Sequence, residues 1–227
     1  MFPIGDDRVE GGRVALVVLG LIALNVLIFL VELSQPSEAA LQSFIQAWGV
    51  VPREYTTARD LPPTIPVPFW STLVTSMFLH GGWMHLGGNM LYLWIFGDNL
   101  EKVMGVGRFL LFYFVCGVAA SLAHIAFGGG SSVPAVGASG AISGVLGGYL
   151  VLFPRNQVRV LTRGGITSVP AIVVLGFWIV IQLLNGIGSL ATTSETGGGV
   201  AYMAHIGGFI AGLVLVRLMA TPQRALA

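Results

Sequence analysis

The 227-residue chain is 55% hydrophobic and 9% charged, with a formal net charge of +1 and a mean hydropathy of +0.84. Soluble domains carry about 25% charged residues, so a water-soluble globular protein is excluded, and the near-neutral balance leaves no basic patch for nucleic acid. The single cysteine, Cys116, allows no internal disulfide and reads as a packed core thiol.

A helix crossing about 30 Å of hydrocarbon takes about 20 apolar residues. Six segments read as such spans, near 12–32, 83–100, 106–127, 138–153, 168–188 and 201–219. The first, with its apolar run from Val14 to Val31, shows no cleavage signature and reads as a retained span. A long loop, 33–82, follows it. Its first part is polar and rich in proline (Pro36, Pro52, Pro62, Pro63, Pro66, Pro68), and residues 69–80 read as a short interfacial helix. The expected class is an all-α polytopic membrane protein, one domain over residues 1–227 with six transmembrane helices.

Charge placement orients the spans. With the N-terminus cytoplasmic, nine basic residues fall inside (Arg8, Arg13, Lys102, Arg108, Arg155, Arg159, Arg163, Arg217, Arg224) and two, Arg53 and Arg59, outside. That is a strong positive-inside bias, and it makes both termini cytoplasmic. Spans two, four and six then all start at the outer face. Those starts carry His85 and Asn89, Ser139, and His205 respectively. Span four is short: its 16 residues rise about 24 Å at about 1.5 Å each. Its start should lie below the outer surface, in a wet recess that the glycine-rich 128–132 loop dips to meet. Gly140, Gly144 and Gly148 on span four, and Gly208 and Gly212 on span six, recur every four residues. Such stripes let helix backbones approach closely, whether or not they serve a site.

Ser139, in Gly137-Ala138-Ser139-Gly140, is the candidate nucleophile. Alone, the tetrapeptide reads as an ordinary serine at a helix start. His205, in Ala204-His205-Ile206-Gly207-Gly208, is the candidate base, and a structural histidine is the equal alternative. An acid to orient it is missing: after Glu101 the chain holds only Glu195. The expected pair is a Ser–His dyad rather than a triad. His85 and Asn89, four apart, share a helix face. With the Ser139 backbone N–H they form a candidate oxyanion donor set, or else a polar clasp between helices. His80 lies off that face and reads as a loop buttress. Reading His80, His85, His124 and His205 as zinc ligands is the competing class. No carboxylate or cysteine joins them, so no metal site is expected.

Three motifs together resemble the rhomboid family of intramembrane serine proteases. They are His80-Gly81-Gly82-Trp83-Met84-His85-Leu86-Gly87-Gly88-Asn89-Met90, Gly137-Ala138-Ser139-Gly140, and Ala204-His205-Ile206-Gly207-Gly208 continuing to Gly212. They occur in family order, and the resemblance covers residues 10–220 or so. It implies a rhomboid-like bundle and a Ser139–His205 dyad cutting single-span or polytopic transmembrane substrates near their outer ends. It also implies oxyanion contacts from His85, Asn89 and the Ser139 amide, with no cofactor. The long first loop would be the family's membrane-dipping loop, and the segment around span five its substrate gate. The form resembles the basic bacterial one, which implies the inner (plasma) membrane and a site open to the periplasmic side. Two positions depart. Trp70-Ser71 stands where the family often has Trp-Arg, and Ser143 stands where some bacterial members place a tyrosine on the histidine. The alternative is an inactive rhomboid-like protein that binds membrane clients, against which the retention of both Ser139 and His205 argues.

Overall fold

A computed structural model describes residues 2–7, 14–191 and 201–220. In chain order it has strand β1 (Phe2–Asp6), helices α1 (Leu16–Leu33), α2 (Glu38–Trp48), α3 (Pro52–Thr57), α4 (Thr72–Thr75), α5 (Trp83–Met104), α6 (Val106–Gly128) and α7 (Ser139–Leu152), the hairpin β2 (Gln157–Thr162) and β3 (Gly165–Pro170), then α8 (Ala171–Ala191) and α9 (Tyr202–Met219). Short 3-10 turns flank α4 at Phe69–Ser71 and Ser76–Phe78.

Among the described residues, four helices are long and apolar enough to cross a membrane: Leu16–Leu33, Val106–Gly128, Ala171–Gly188 and Tyr202–Met219. Their lipid-ready surfaces are visible on α8, where Phe177, Val180, Leu184 and Ile187 all stand exposed. The two remaining expected spans are α5, whose last turns carry Asp98, Glu101 and Lys102, and α7, which is only 14 residues long. Charge in the one and shortness in the other set them apart from the four.

Helix termini in an apolar setting need partners for their unpaired N–H groups. At α1 the need is met from another helix. The Glu101 carboxylate on α5 accepts from the backbone N–H of Val17 at 3.0 Å and of Val18 at 2.9 Å. Negative charge at that end also suits the helix dipole. At the other end of α1, buried Glu32 accepts from the backbone N–H of His80 at 3.0 Å. Two carboxylates thus fix α1 to α5 and to the loop before it. Between α5 and α6 the chain reverses through Gly105 alone, at φ +81°, a value that glycine adopts without strain.

α7 is the central helix. Gly140 through Tyr149 are all buried, with α9 and α6 against it and α5 behind. Its glycines are the reason. A Cβ on Gly208 or Gly212 of α9 would run into the backbone carbonyl of Gly140 or Gly144, and one on Gly147 would meet that of Phe209. The α7 and α9 backbones meet at Gly140, Gly144, Gly208 and Gly212, and at Gly147, a position that the four-residue spacing skips. Gly148 meets side chains rather than backbone: Leu100 of α5, Phe112 of α6 and Val216 of α9.

The all-helical expectation needs correction. The structure is mostly helical but includes an antiparallel three-stranded sheet ordered β1-β2-β3. Phe2 pairs with Leu161, and Leu161 with Ile166. Val158 and Val160 point into the core. Residues 168–170, expected to open span five, are the end of β3. Only Gln157 to Val160 alternates polar and apolar residues, a period-2 signal too short to stand out beside the apolar runs that flank it. The sheet is tied to the helices through Asp6, whose Oδ2 accepts from Tyr149 Oη at 2.6 Å and Asn99 Nδ2 at 2.8 Å.

The first loop holds α2 and α3. Val50 and Ala135 exchange backbone hydrogen bonds at 3.0 and 2.8 Å, and Thr56 Oγ1 donates to the Gly129 carbonyl at 2.6 Å. The loop is thereby stitched to the segment that leads into α7.

Candidate active site

α7 begins at Ser139, so its hydroxyl sits at a helix N-terminus where the first N–H groups have no intrahelical partner. The segment before it is held by the Gly137 N–H donating to the Ser76 carbonyl at 2.8 Å. The close approach of α9 carries His205 to the same place. Its Nε2 lies 2.8 Å from Ser139 Oγ, a hydrogen bond across 66 residues of sequence. Geometry of this kind satisfies the first requirement of a nucleophile and its base.

The other imidazole nitrogen also has a partner. His205 Nδ1 lies 2.8 Å from Oε1 of Gln182 on α8. A carboxamide oxygen only accepts, so this contact suits the tautomer with the proton on Nδ1, which leaves Nε2 to accept from the serine O–H. One turn earlier on α8, the Trp178 ring stands 6.0 Å from that of His205 and 6.0 Å from that of Phe209. Ser143 does not reach the imidazole. Its hydroxyl turns back to donate to the Ser139 carbonyl at 2.6 Å. The aromatic neighbour of His205 therefore comes from α8 rather than α7.

His85 and Asn89 project from the first turns of α5 toward Gly137, two residues before the serine. Gly137 has φ +122°, and a Cβ there would stand 2.7 Å from His85 Nε2 and 3.7 Å from Asn89 Nδ2. The Gly81 N–H donates to His85 Nδ1 at 3.3 Å, which leaves the proton on Nε2. Asn89 Nδ2 is buried with no hydrogen-bond partner among the described residues. An unpaired buried donor is costly, and here it faces a space that only a glycine backbone leaves open.

His80 is buried and outside this group. Its backbone is bound by Glu32, and its ring lies edge-on to His85 at 5.0 Å. Tyr55 helps fix the first loop, with its hydroxyl 2.7 Å from Thr72 Oγ1 and its ring 5.2 Å from that of Phe69. Those contacts surround the Trp70-Ser71 departure, where Trp70 itself is exposed. His124, which the sequence left without a partner, lines a small open recess together with Ser121, Ser139, Gly140 and Ala204. Among the described residues, no three His, Cys, Asp or Glu side chains gather as a metal site would require. Glu195 lies outside the described residues.

The sequence reading missed Gln182. Its signal was a polar residue inside the apolar run of α8, which by default suggests function in a membrane helix.

Residues 68–222 match the family model described as Rhomboid domain. The chain is 34% identical to "Rhomboid protease GluP" of Bacillus subtilis over 155 residues, covering 68% of this chain and 27% of that protein. It is 30% identical to "Rhomboid protein 1, mitochondrial" of Saccharomyces cerevisiae over 179 residues, 75% of this chain and 45% of that one. It is 32% identical to "Putative rhomboid protease YdcA" of Bacillus subtilis over 148 residues, 64% of this chain and 65% of that one. The chain thus spans less than half the length of the first two of these relatives.

Proposed function

The chain belongs to the rhomboid family of multi-pass membrane proteins, and on that premise we propose that it is an intramembrane serine endopeptidase with Ser139 as nucleophile and His205 as general base and acid. The observation that carries this is the 2.8 Å hydrogen bond from Ser139 Oγ to His205 Nε2, with Nδ1 engaged on its far side.

A transmembrane substrate enters laterally and presents an extended backbone at the recess. His205 Nε2 takes the hydroxyl proton as Ser139 Oγ attacks the peptide carbonyl. The oxyanion that forms receives hydrogen bonds from His85 Nε2, Asn89 Nδ2 and the Ser139 N–H, donors held in place by the surrounding helices. His205 gives the proton to the leaving amine. Water from the recess then attacks the acyl-enzyme, and the same imidazole serves again as base. The chemistry needs no metal or cofactor.

α5 and α7 complete six spans in this reading, in a single membrane domain. A short α7 suits it: 14 residues rise about 21 Å at about 1.5 Å each, so Ser139 starts below the membrane surface. The bias of nine basic residues to two supports cytoplasmic termini and a site open to the outer, periplasmic side of the plasma membrane.

The test is cleavage of a transmembrane substrate in proteoliposomes by wild type, Ser139→Ala and His205→Ala. Wild type is expected to cut and both variants to lose activity by at least about 10³-fold. Equal cleavage by the variants sinks the dyad. A wild type that neither cuts nor takes a fluorophosphonate on Ser139 points to a client-binding protein.

A further inference from the structure

We infer that Gln182 is a positioning residue for the proposed reaction, a neutral third member that fixes the tautomer and orientation of His205. The inference rests on the reading of Ser139 and His205 as the dyad.

A serine hydroxyl can be deprotonated only by an imidazole whose facing nitrogen is bare. In a neutral histidine, the hydrogen bond made at the other nitrogen sets which one that is. Aspartate does this in a triad. Here the atom at that position is the carboxamide Oε1 of Gln182, 2.8 Å from Nδ1, while Nε2 is 2.8 Å from Ser139 Oγ. The three side chains form a continuous line, Gln182 to His205 to Ser139, drawn from α8, α9 and α7.

The choice of a carboxamide follows from the surroundings. Glu195 is the sole carboxylate in the sequence beyond Glu101, and an ionised carboxylate within apolar helices carries a heavy desolvation cost. A carboxamide supplies the same acceptor without the charge. The opposite rotamer of the amide would present its NH₂ to Nδ1, move the imidazole proton to Nε2 and leave the serine with no base. The orientation of one side chain therefore separates a competent dyad from an incompetent one. Trp178, one helical turn before Gln182, stands against the imidazole at 6.0 Å, so the same face of α8 limits the ring from its side and from its edge.

Two substitutions and one spectroscopic reading test this. Gln182→Met keeps the length of the side chain and removes the acceptor. It is expected to lower kcat by about 10- to 100-fold, part of what a general base supplies, with KM unchanged. Gln182→Glu restores an acceptor and adds charge. It is expected to recover most of the kcat lost in Gln182→Met. It should also move the acid limb of the kcat/KM profile to higher pH by about one unit or more, because an adjacent carboxylate holds the imidazole proton. The ¹⁵N shifts of His205 in uncleaving Ser139→Ala protein should show Nδ1 protonated and Nε2 bare, and in Gln182→Met the tautomers should mix. A bare Nδ1 in the unsubstituted site overturns the inference. So does wild-type kcat in Gln182→Met, or an equal loss in both variants with the acid limb unmoved. The ¹⁵N reading uses no substrate, so it decides the role of Gln182 even if cleavage fails and the dyad reading falls.

Discussion

A side chain at residue 137 and the imidazole of His85 compete for one space: a Cβ on Gly137 would stand 2.7 Å from His85 Nε2. The backbone there also has φ +122°, so any other residue adds strain of about 1–3 kcal/mol. Gly137→Ala is expected to reduce cleavage by at least about 100-fold, the order expected for one lost oxyanion donor. Folding is monitored by thermal unfolding in detergent. A folded Gly137→Ala protein with wild-type turnover would remove His85 and Asn89 from the reaction.

In the proposed reaction, Asn89 sets stability against function. Its Nδ2 is buried and unpaired among the described residues, so the group contributes no hydrogen bond to the resting fold. Replacing it by an apolar group of similar shape relieves a penalty of about 1–3 kcal/mol. Asn89→Leu should match or exceed wild type in thermal stability while kcat falls about 10²- to 10³-fold. Loss of stability and activity together would mark Asn89 as a packing residue instead.

The α7–α6 contact can be probed as a pair. A Cβ on Gly140 would lie 2.6 Å from that of Ala120. Gly140→Ala alone should destabilise by about 1–3 kcal/mol, and adding Ala120→Gly should return much of it, less about 1 kcal/mol for glycine in a helix. Gly208→Ala has no such rescue, because its Cβ meets the backbone of Gly140 rather than a side chain. Additive losses in the Gly140–Ala120 pair would show that these helices separate freely.

His80 gives the fold a pH dependence. Burial first, and the neighbouring His85 second, push its imidazole down from 6.5 to about 4. Between those values the unfolded chain holds a proton that the folded one does not. Stability is therefore full above pH 6.5 or so and is lost as pH falls toward 4. In His80→Gln this component disappears. Melting temperatures taken between about pH 7 and about pH 4.5 should fall less steeply in the variant than in wild type. Parallel curves would mean that His80 is solvated in the folded protein.

Much of the architecture was legible because membrane helices announce themselves locally. Apolar run length marked α1, α6, α8 and α9, and glycine spacing marked the faces of α7 and α9 that touch. The sheet was not legible by the same means. β2 and β3 lie next to spans in sequence, β2 alternates only over Gln157 to Val160 and β3 does not alternate, so neither stands out by its pattern. β1 gains its place only by pairing with residues more than 150 positions away, Phe2 against Leu161. Gln182 was overlooked for a related reason, since a single amide in an apolar helix does not say what it faces.

Composition and local pattern already say what kind of molecule this is: a chain with too little charge for water, with helices where apolar runs are long, and with the family's serine, histidine and asparagine motifs in order. Those are properties of composition and near neighbours. Packing between distant segments is what places Ser139 Oγ 2.8 Å from His205, the Gln182 amide 2.8 Å from the other imidazole nitrogen, and the Trp178 ring beside it. Each of these joins different helices, and their separation depends on how closely two backbones pack. At Gly140 and Gly208 that closeness is set by the absence of a single carbon atom.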